Sequence, residues 1–407
     1  MKEVASKMIK TAKNTSRSID NAPEDKVITP RQLGSITAST LLGVGILTMS
    51  RNIAEAVDEA AWIVTLLGGL IAMFFFYIII RLSFRFPLKT IATYAPEILG
   101  RSKGPNWLGK LLSFPLVIGL TAFWILTVAI TLRSFGEVVV SSVLPNTPLE
   151  VIIITMLFLA FFLTCFEIEV VARVNELILP LIGLPLIAIT FFSVQKFKLE
   201  FILPLWPHFS LKDFFAGILL GSFAYIGYEI LMVYGGYTVV TRHTHFYNLL
   251  AFAFPVFIYT TIVLISIGSF GVEELKQILW PTLELIKIIE IPGVIFERVE
   301  SAFLAIWMAA VFTTSANIYY AACFLTKKIV ASGPTYIYGL VYAPLVYWIA
   351  LQPQNVFSLF EWAKLTGYVS FVFSGLLPLL FYVLARLRGI GLPPSAQYDQ
   401  YDTNKER

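Results

Sequence analysis

The sequence predicts an all-α integral membrane protein of about ten transmembrane helices, built as two inverted five-helix repeats with broken helices 1 and 6. Three observations carry this. Only 14% of the 407 residues are charged while 57% are hydrophobic, and a soluble domain carries roughly a quarter charged residues. Apolar runs of about 20 residues, each long enough to cross a bilayer core as a helix, recur along nearly the whole chain. Glycines interrupt two of those runs, five runs apart.

The runs are continuously apolar and do not alternate with period two, which favours helices over a barrel. The predicted spans are 32–54, 60–80, 107–132, 149–165, 174–194, 214–239, 249–270, 299–326, 335–351 and 366–387. Three regions follow: a cytoplasmic tail over 1–29, a ten-helix membrane domain over 30–390 and a second cytoplasmic tail over 391–407. The polar, Lys-rich start shows no cleavable signal. With that start inside, Lys and Arg collect on inner connections, among them Arg81, Arg85, Lys89, Arg101, Lys103 and Lys110. Lys327 and Lys328 follow the eighth span. Lys196, Lys198 and Lys212 run against the rule on an outer connection. The Glu-rich outer stretch after span 7 has helix-like spacing over Glu273–Ile291, as a lid, a docking surface or a plain interfacial loop.

In the first span, Gly43 and Gly45 flank Val44. Two mid-membrane glycines cost about 1 kcal/mol each in helix propensity. They permit unwinding, and freed backbone groups at that depth must line a cavity or meet a ligand. The sixth span carries Gly217, Gly221, Gly227 and Gly235-Gly236, with Tyr225, Tyr228 and Glu229 among them. Two breaks at symmetry-related places predict a midplane site, with helix N-termini toward an anionic group and freed carbonyls toward a cationic one. Close helix packing is the alternative use of such glycines.

Glu229 is the one carboxylate placed deep in a span, as a proton-titrating switch, a counter-ion to a ligand amine or a hydrogen-bond hub. Thr313, Thr314, Ser315 and Asn317 form a polar patch in span 8. Thr121, Trp124, Thr127 and Thr131 share one face of span 3. Cys165 and Cys323 have no metal-ligand spacing, and no metal or cofactor is expected. No His-Glu-x-x-His, Gly-x-Ser-x-Gly or paired aspartates occur in the spans, so an intramembrane enzyme is not expected.

Phe223-Ala-Tyr225-Ile-Gly227-Tyr-Glu229 resembles the helix-6 motif of permeases in the amino acid–polyamine–organocation superfamily, and Gly43-Val44-Gly45-Ile resembles their helix-1 break. The ten-helix form, the Lys-rich tail and Glu169-Val-Val-Ala-Arg173-Val-Asn-Glu176 look like the spore germination permease family, the B subunits of germinant receptors. The resemblance implies a nutrient-sensing subunit in the spore inner membrane that binds an amino acid and works with an A subunit and a C-subunit lipoprotein. It implies ligand contacts at Gly43, Val44, Gly45, Phe223, Ala224 and Tyr225, with Glu229 as a proton or amine partner. Thr121, Trp124, Thr314 and Ser315 are candidates by facing. Membrane lipid is expected around the chain, and nucleic acid is not. A proton-coupled secondary amino acid transporter is the alternative function.

Overall fold

The computed structural model describes residues 27–43, 45–100, 106–203, 214–215, 217–218, 221, 224–288 and 299–391. Residues 1–26 and 392–407 of the tails, Val44, Phe223, Arg101, Lys103, Lys212 and the end of the Glu-rich connection therefore lie outside the described residues. The chain is an all-α integral membrane protein. Among the described residues, six helical stretches are long and apolar enough to cross a bilayer, Thr244–Phe270 and Trp107–Ser142 among them.

The first span is two helices. Helix α1 (Pro30–Leu41) opens on a capping box between Thr29 and Gln32, with proline in the first turn. It stops at Leu41, and α2 (Gly45–Val57) resumes after the Gly43 region. Then follow α3 (Ala61–Ser83), α4 (Ile91–Leu99), α5 (Trp107–Ser142), α6 (Leu149–Leu163) and α7 (Ile168–Ser193). The sixth span has turns at 224–227, a 3₁₀ turn at Tyr228–Ile230, the short α8 (Leu231–Tyr234) and another 3₁₀ turn at Gly235–Tyr237. The second half continues with α9 (Thr244–Phe270), α10 (Val272–Leu275), α11 (Pro281–Lys287), α12 (Val299–Val330) and α13 (Thr335–Ala350). It ends with α14 (Val356–Ser370), a π turn at Phe371–Leu376 and α15 (Leu377–Leu387).

Both described chain ends lie at one end of the bundle, as an even number of crossings requires. Ile28 donates to the Tyr237 carbonyl at 2.9 Å and accepts from the Val239 amide at 3.0 Å. The Leu88 amide donates to Gly236 at 2.6 Å, and Arg85 Nη2 donates to Ile390 at 2.9 Å. The opposite end carries α10 and α11. There Lys276 bonds Asp58 at 2.6 Å, which raises the lysine above its ordinary range against the cost of burial, with a smaller contribution from Glu273.

Two spans are longer than hydropathy marks them. Helix α5 continues past Arg133 because Arg133 and Glu137, one turn apart, pair at 2.8 Å. Helix α14 starts ten residues before the apolar run, capped by Asn355, whose Oδ1 accepts from the Ser358 amide at 2.9 Å.

A buried amide network holds the end of α1 beside its break. Asn175 Nδ2 donates to Asn317 Oδ1 at 2.7 Å, Asn317 Nδ2 donates to Thr40 Oγ1 at 2.8 Å, and Ser39 bonds Asn175. It ties α1 to α7 and α12. Hydrogen bonds within membranes contribute about 0.6 kcal/mol each and up to about 1.7. Asn175→Leu is therefore expected to destabilise the fold by about 1–2 kcal/mol, read as a lower melting temperature in nanodiscs.

Candidate functional site

The two breaks touch each other. Gly227 has φ +120°, a conformation that L side chains rarely adopt, and a Cβ there would lie 2.9 Å from Thr40 Cγ2. A Cβ on Gly45 would lie 3.4 Å from the Ala224 carbonyl. The glycines of both spans thus let two unwound segments cross at close range. Gly235 and Gly236 serve differently. Their missing side chains admit Ser83 and the Lys89 carbonyl, 2.7 and 2.0 Å from where a Cβ would stand. That pair is packing, the alternative use of the sixth-span glycines.

Unwinding frees carbonyls at the end of α1, and protein hydroxyls take them up. Thr314 Oγ1 lies 3.2 and 3.0 Å from the Ser39 and Thr40 carbonyls, and the Tyr259 hydroxyl donates to Leu41. Of the freed carbonyls anticipated as contacts for a cationic group, that of Leu41 is taken by Tyr259, while those of Ser39 and Thr40 share the single Thr314 hydroxyl proton with Ala310. The other half of the break differs: α2 begins at Gly45, so its first-turn amides face the gap without intrahelical acceptors.

A cavity of about 870 Å³ reaches this crossing from the end bearing α10 and α11. At the level of the breaks its wall includes Thr40, Gly43, Gly45, Ala224, Ile226 and Thr314. Helix α5 adds Thr127, Ile130, Thr131 and Ser134, and α12 adds Ile318. Nearer the mouth stand Arg51 and Glu55 of α2, with Glu361 and Lys364 of α14. Arg51 Nε donates to Glu55 at 2.8 Å, and its guanidinium lies 5.6 Å from the Phe360 ring centre. All four ionisable wall residues stand at the mouth; the wall at the breaks is neutral.

Of the residues nominated by sequence, Gly43, Gly45, Ala224 and Thr314 meet in this cavity. Thr121, Trp124, Tyr225 and Ser315 are buried and are not part of its wall. Tyr225 turns away from it, its hydroxyl donating to the Thr65 carbonyl at 3.2 Å. Val44 and Phe223 lie outside the described residues. The α14 contacts, Glu361 and Lys364 among them, are not visible in hydropathy, which sets that stretch outside the span; Asn355 three residues before Ser358, a helix-start pattern, is the available signal.

Glu229 is fully buried and does not line the cavity. Its Oε1 accepts from Trp124 Nε1 at 3.2 Å. Its Oε2 accepts from the Gly227 amide at 3.0 Å and from Ser374 Oγ at 2.9 Å. One carboxylate thus joins α5, the sixth-span break and the π turn of the tenth span. π turns occur mostly as single-turn irregularities, often at functional sites.

Comparisons with known proteins agree with this architecture. Among solved structures, a Na⁺-coupled sialic acid symporter in a substrate-bound outward-open state aligns with TM-score 0.63 at 12% identity, covering 89% of this chain and 80% of that one. MhsT in complex with L-phenylalanine aligns with TM-score 0.61 at 13% identity, covering 91% of each chain. At such identities the likeness is one of fold: a transporter fold. In sequence, spore germination protein YndE of Bacillus subtilis is 27% identical over 366 residues, 89% of this chain and 98% of that protein. Spore germination protein A2 of the same organism is 27% identical over 359 residues, 88% and 95% of the two chains. GerLB of Bacillus cereus is 25% identical over 384 residues, 91% and 98%. The spore germination protein family profile matches residues 27–356, and the chain belongs to that family of spore permeases.

Proposed function

We propose that this chain is the transporter-like B subunit of a spore germinant receptor, binding a small nutrient, in the first instance an amino acid, between its two broken spans. One observation carries the reading. The cavity ends where the first-turn amides of α2 face the sixth-span break, a ready site for a carboxylate. Gly43 and Gly45 offer backbone to that group, with Ala224 and Thr314 beside the rest of the ligand; Val44 and Phe223, outside the described residues, are assigned to the ligand by the resemblance alone. Trp124 and Glu229 hold the sixth-span break in shape, and Thr121, Tyr225 and Ser315 act through packing. MhsT, with its bound L-phenylalanine, supports an amino-acid-sized ligand in this fold.

The membrane is the spore inner membrane, with both tails, 1–29 and 391–407, on the cytoplasmic side and the cavity mouth outside. Ligand binding favours one arrangement of the broken spans and passes that bias to an A subunit and a C-subunit lipoprotein. The bias is no larger than the ligand's differential affinity for the two arrangements. The role is non-catalytic.

Purified protein in liposomes, given labelled amino acids with binding and counterflow scored separately, tests this. Binding without flux is the expected result. Rapid saturable flux by the chain alone supports the second reading, a secondary transporter, which the transporter fold and the open cavity favour.

A further inference from the structure

We infer that the end of the bundle bearing both chain ends holds an anionic phospholipid, its phosphate at Arg81 and Arg386 and its acyl chains along the uncovered faces of α3 and α15. None of these residues belongs to the cavity wall, and the inference does not depend on what the cavity binds.

Two helices that pack against each other end alike in sequence. Helix α3 ends in Tyr77-Ile-Ile-Ile-Arg81 and α15 in Tyr382-Val-Leu-Ala-Arg386. Four residues make about one helical turn, so each arginine stands one turn beyond a tyrosine on the same face. That pattern suits a membrane boundary. Tyrosine rings gather at headgroup depth, and arginine reaches past them on an apolar stem. The neighbouring turns are apolar and uncovered. Leu70 and Phe74 of α3 are 50% and 57% exposed, and Leu380 and Val383 of α15 are 50% and 42% exposed.

Positive charge at this end exceeds its local partners. The one carboxylate in residues 84–106, Glu97, is paired with Lys89 at 2.6 Å. Among the described residues no ion pair includes Arg81, Arg85, Arg386 or Arg388. Two of the four hold the chain instead. Arg85 donates from Nε and Nη2 to the Ile390 carbonyl at 3.3 and 2.9 Å, and Arg388 donates to the Ile98 carbonyl. Burial lowers Arg85 from its ordinary range, and like charge on Arg386 and Arg81 presses the same way, against Tyr382. Arg81 and Arg386 are thus both close enough for their fields to reach Arg85, with no carboxylate between them among the described residues. The Arg81 guanidinium lies 5.8 Å from the Tyr77 ring centre.

A guanidinium presents paired N–H donors that match phosphate oxygens, and a phosphodiester supplies the missing negative charge. Free phosphate would meet the arginines alone. A lipid also covers the apolar turns beside them, as anionic headgroups do in basic pockets between membrane helices.

The test releases the full chain from mixed phosphatidylcholine–phosphatidylglycerol nanodiscs into mild detergent and counts retained lipids by native mass spectrometry. Phosphatidylglycerol is expected to be retained with at least tenfold enrichment over its share of the bilayer. The Arg81→Gln, Arg386→Gln double variant is expected to lower that enrichment about tenfold, at an unchanged melting temperature in phosphatidylcholine alone. Arg386→Gln by itself, at an exposed position, is expected to lower it in part and serves if the pair does not fold. Lys327→Gln with Lys328→Gln, basic residues on another inner turn, is expected to leave it unchanged. Equal loss in that control would mean a diffuse surface field and overturn the site, as would full enrichment in the arginine variants. Displacement of the retained lipid by millimolar inorganic phosphate would make the site one for a free anion and overturn the lipid assignment.

Discussion

Gly45→Leu is expected to lower amino acid affinity about 100-fold, equivalent to about 2.7 kcal/mol, while the protein stays folded. A Cβ at this position meets the Ala224 carbonyl at 3.4 Å and the Tyr259 hydroxyl at 3.6 Å, ordinary contact distances. Alanine therefore fits, and Gly45→Ala should bind ligand within a few-fold of wild type. The further atoms of leucine must enter the space between the two breaks, where α2's first-turn amides face the ligand. Gly43→Ala behaves differently. Its Cβ would stand 2.6 Å from Thr314 Oγ1, the group that covers the freed carbonyls of α1. Something must shift, so this smaller change is expected to lower the melting temperature as well as the affinity. Binding titrations run beside thermal unfolding separate the two effects.

Glu229→Ala is expected to be the most destabilising single change in the membrane core, by about 3–5 kcal/mol. It strands the Trp124 indole N–H, the Gly227 amide and the Ser374 hydroxyl, all buried and all directed at the lost oxygens. Glu229→Gln keeps one acceptor oxygen and should cost less than half as much. Thermal unfolding in nanodiscs reads the difference. A Glu229→Ala protein as stable as wild type but unable to bind ligand would show that the carboxylate serves the ligand directly. The hub geometry predicts the reverse order, stability lost first and binding lost with it.

Much of this architecture was legible in the sequence because membrane helices must be long, apolar and internally hydrogen-bonded, which leaves a plain signal. Gly43 and Gly45 read as a break and are one, with α1 ending at Leu41 and α2 starting at Gly45. The sixth span was harder. Gly227 lies in the crossing, whereas Gly235 and Gly236 admit the turn after α3, and composition does not distinguish those uses. The facing of single side chains was the least readable feature. Thr127 and Trp124 lie three apart on one helix face, yet one lines the cavity and the other reaches Glu229. Glu229 was read with three roles open. Two of its three partners lie 105 and 145 positions away in the chain, a separation no local pattern encodes. The first half of the tenth span escaped because Glu361 and Lys364, which face the cavity mouth, lower its hydropathy.

The central claim, a ligand seated in the cavity at the crossing of the two breaks, is tested most directly by protection of an engineered thiol. Cys165 is exposed and would react, so it is first replaced by serine; Cys323 is buried. A single cysteine is then placed at Thr131, on the cavity wall, and its reaction with a small polar thiol reagent is followed with and without a saturating amino acid. The account predicts modification slowed at least tenfold by ligand, and unchanged for a control cysteine at Glu273 on α10. Modification at Thr131→Cys that proceeds at the same rate while the ligand is demonstrably bound would place the ligand elsewhere and contradict the account.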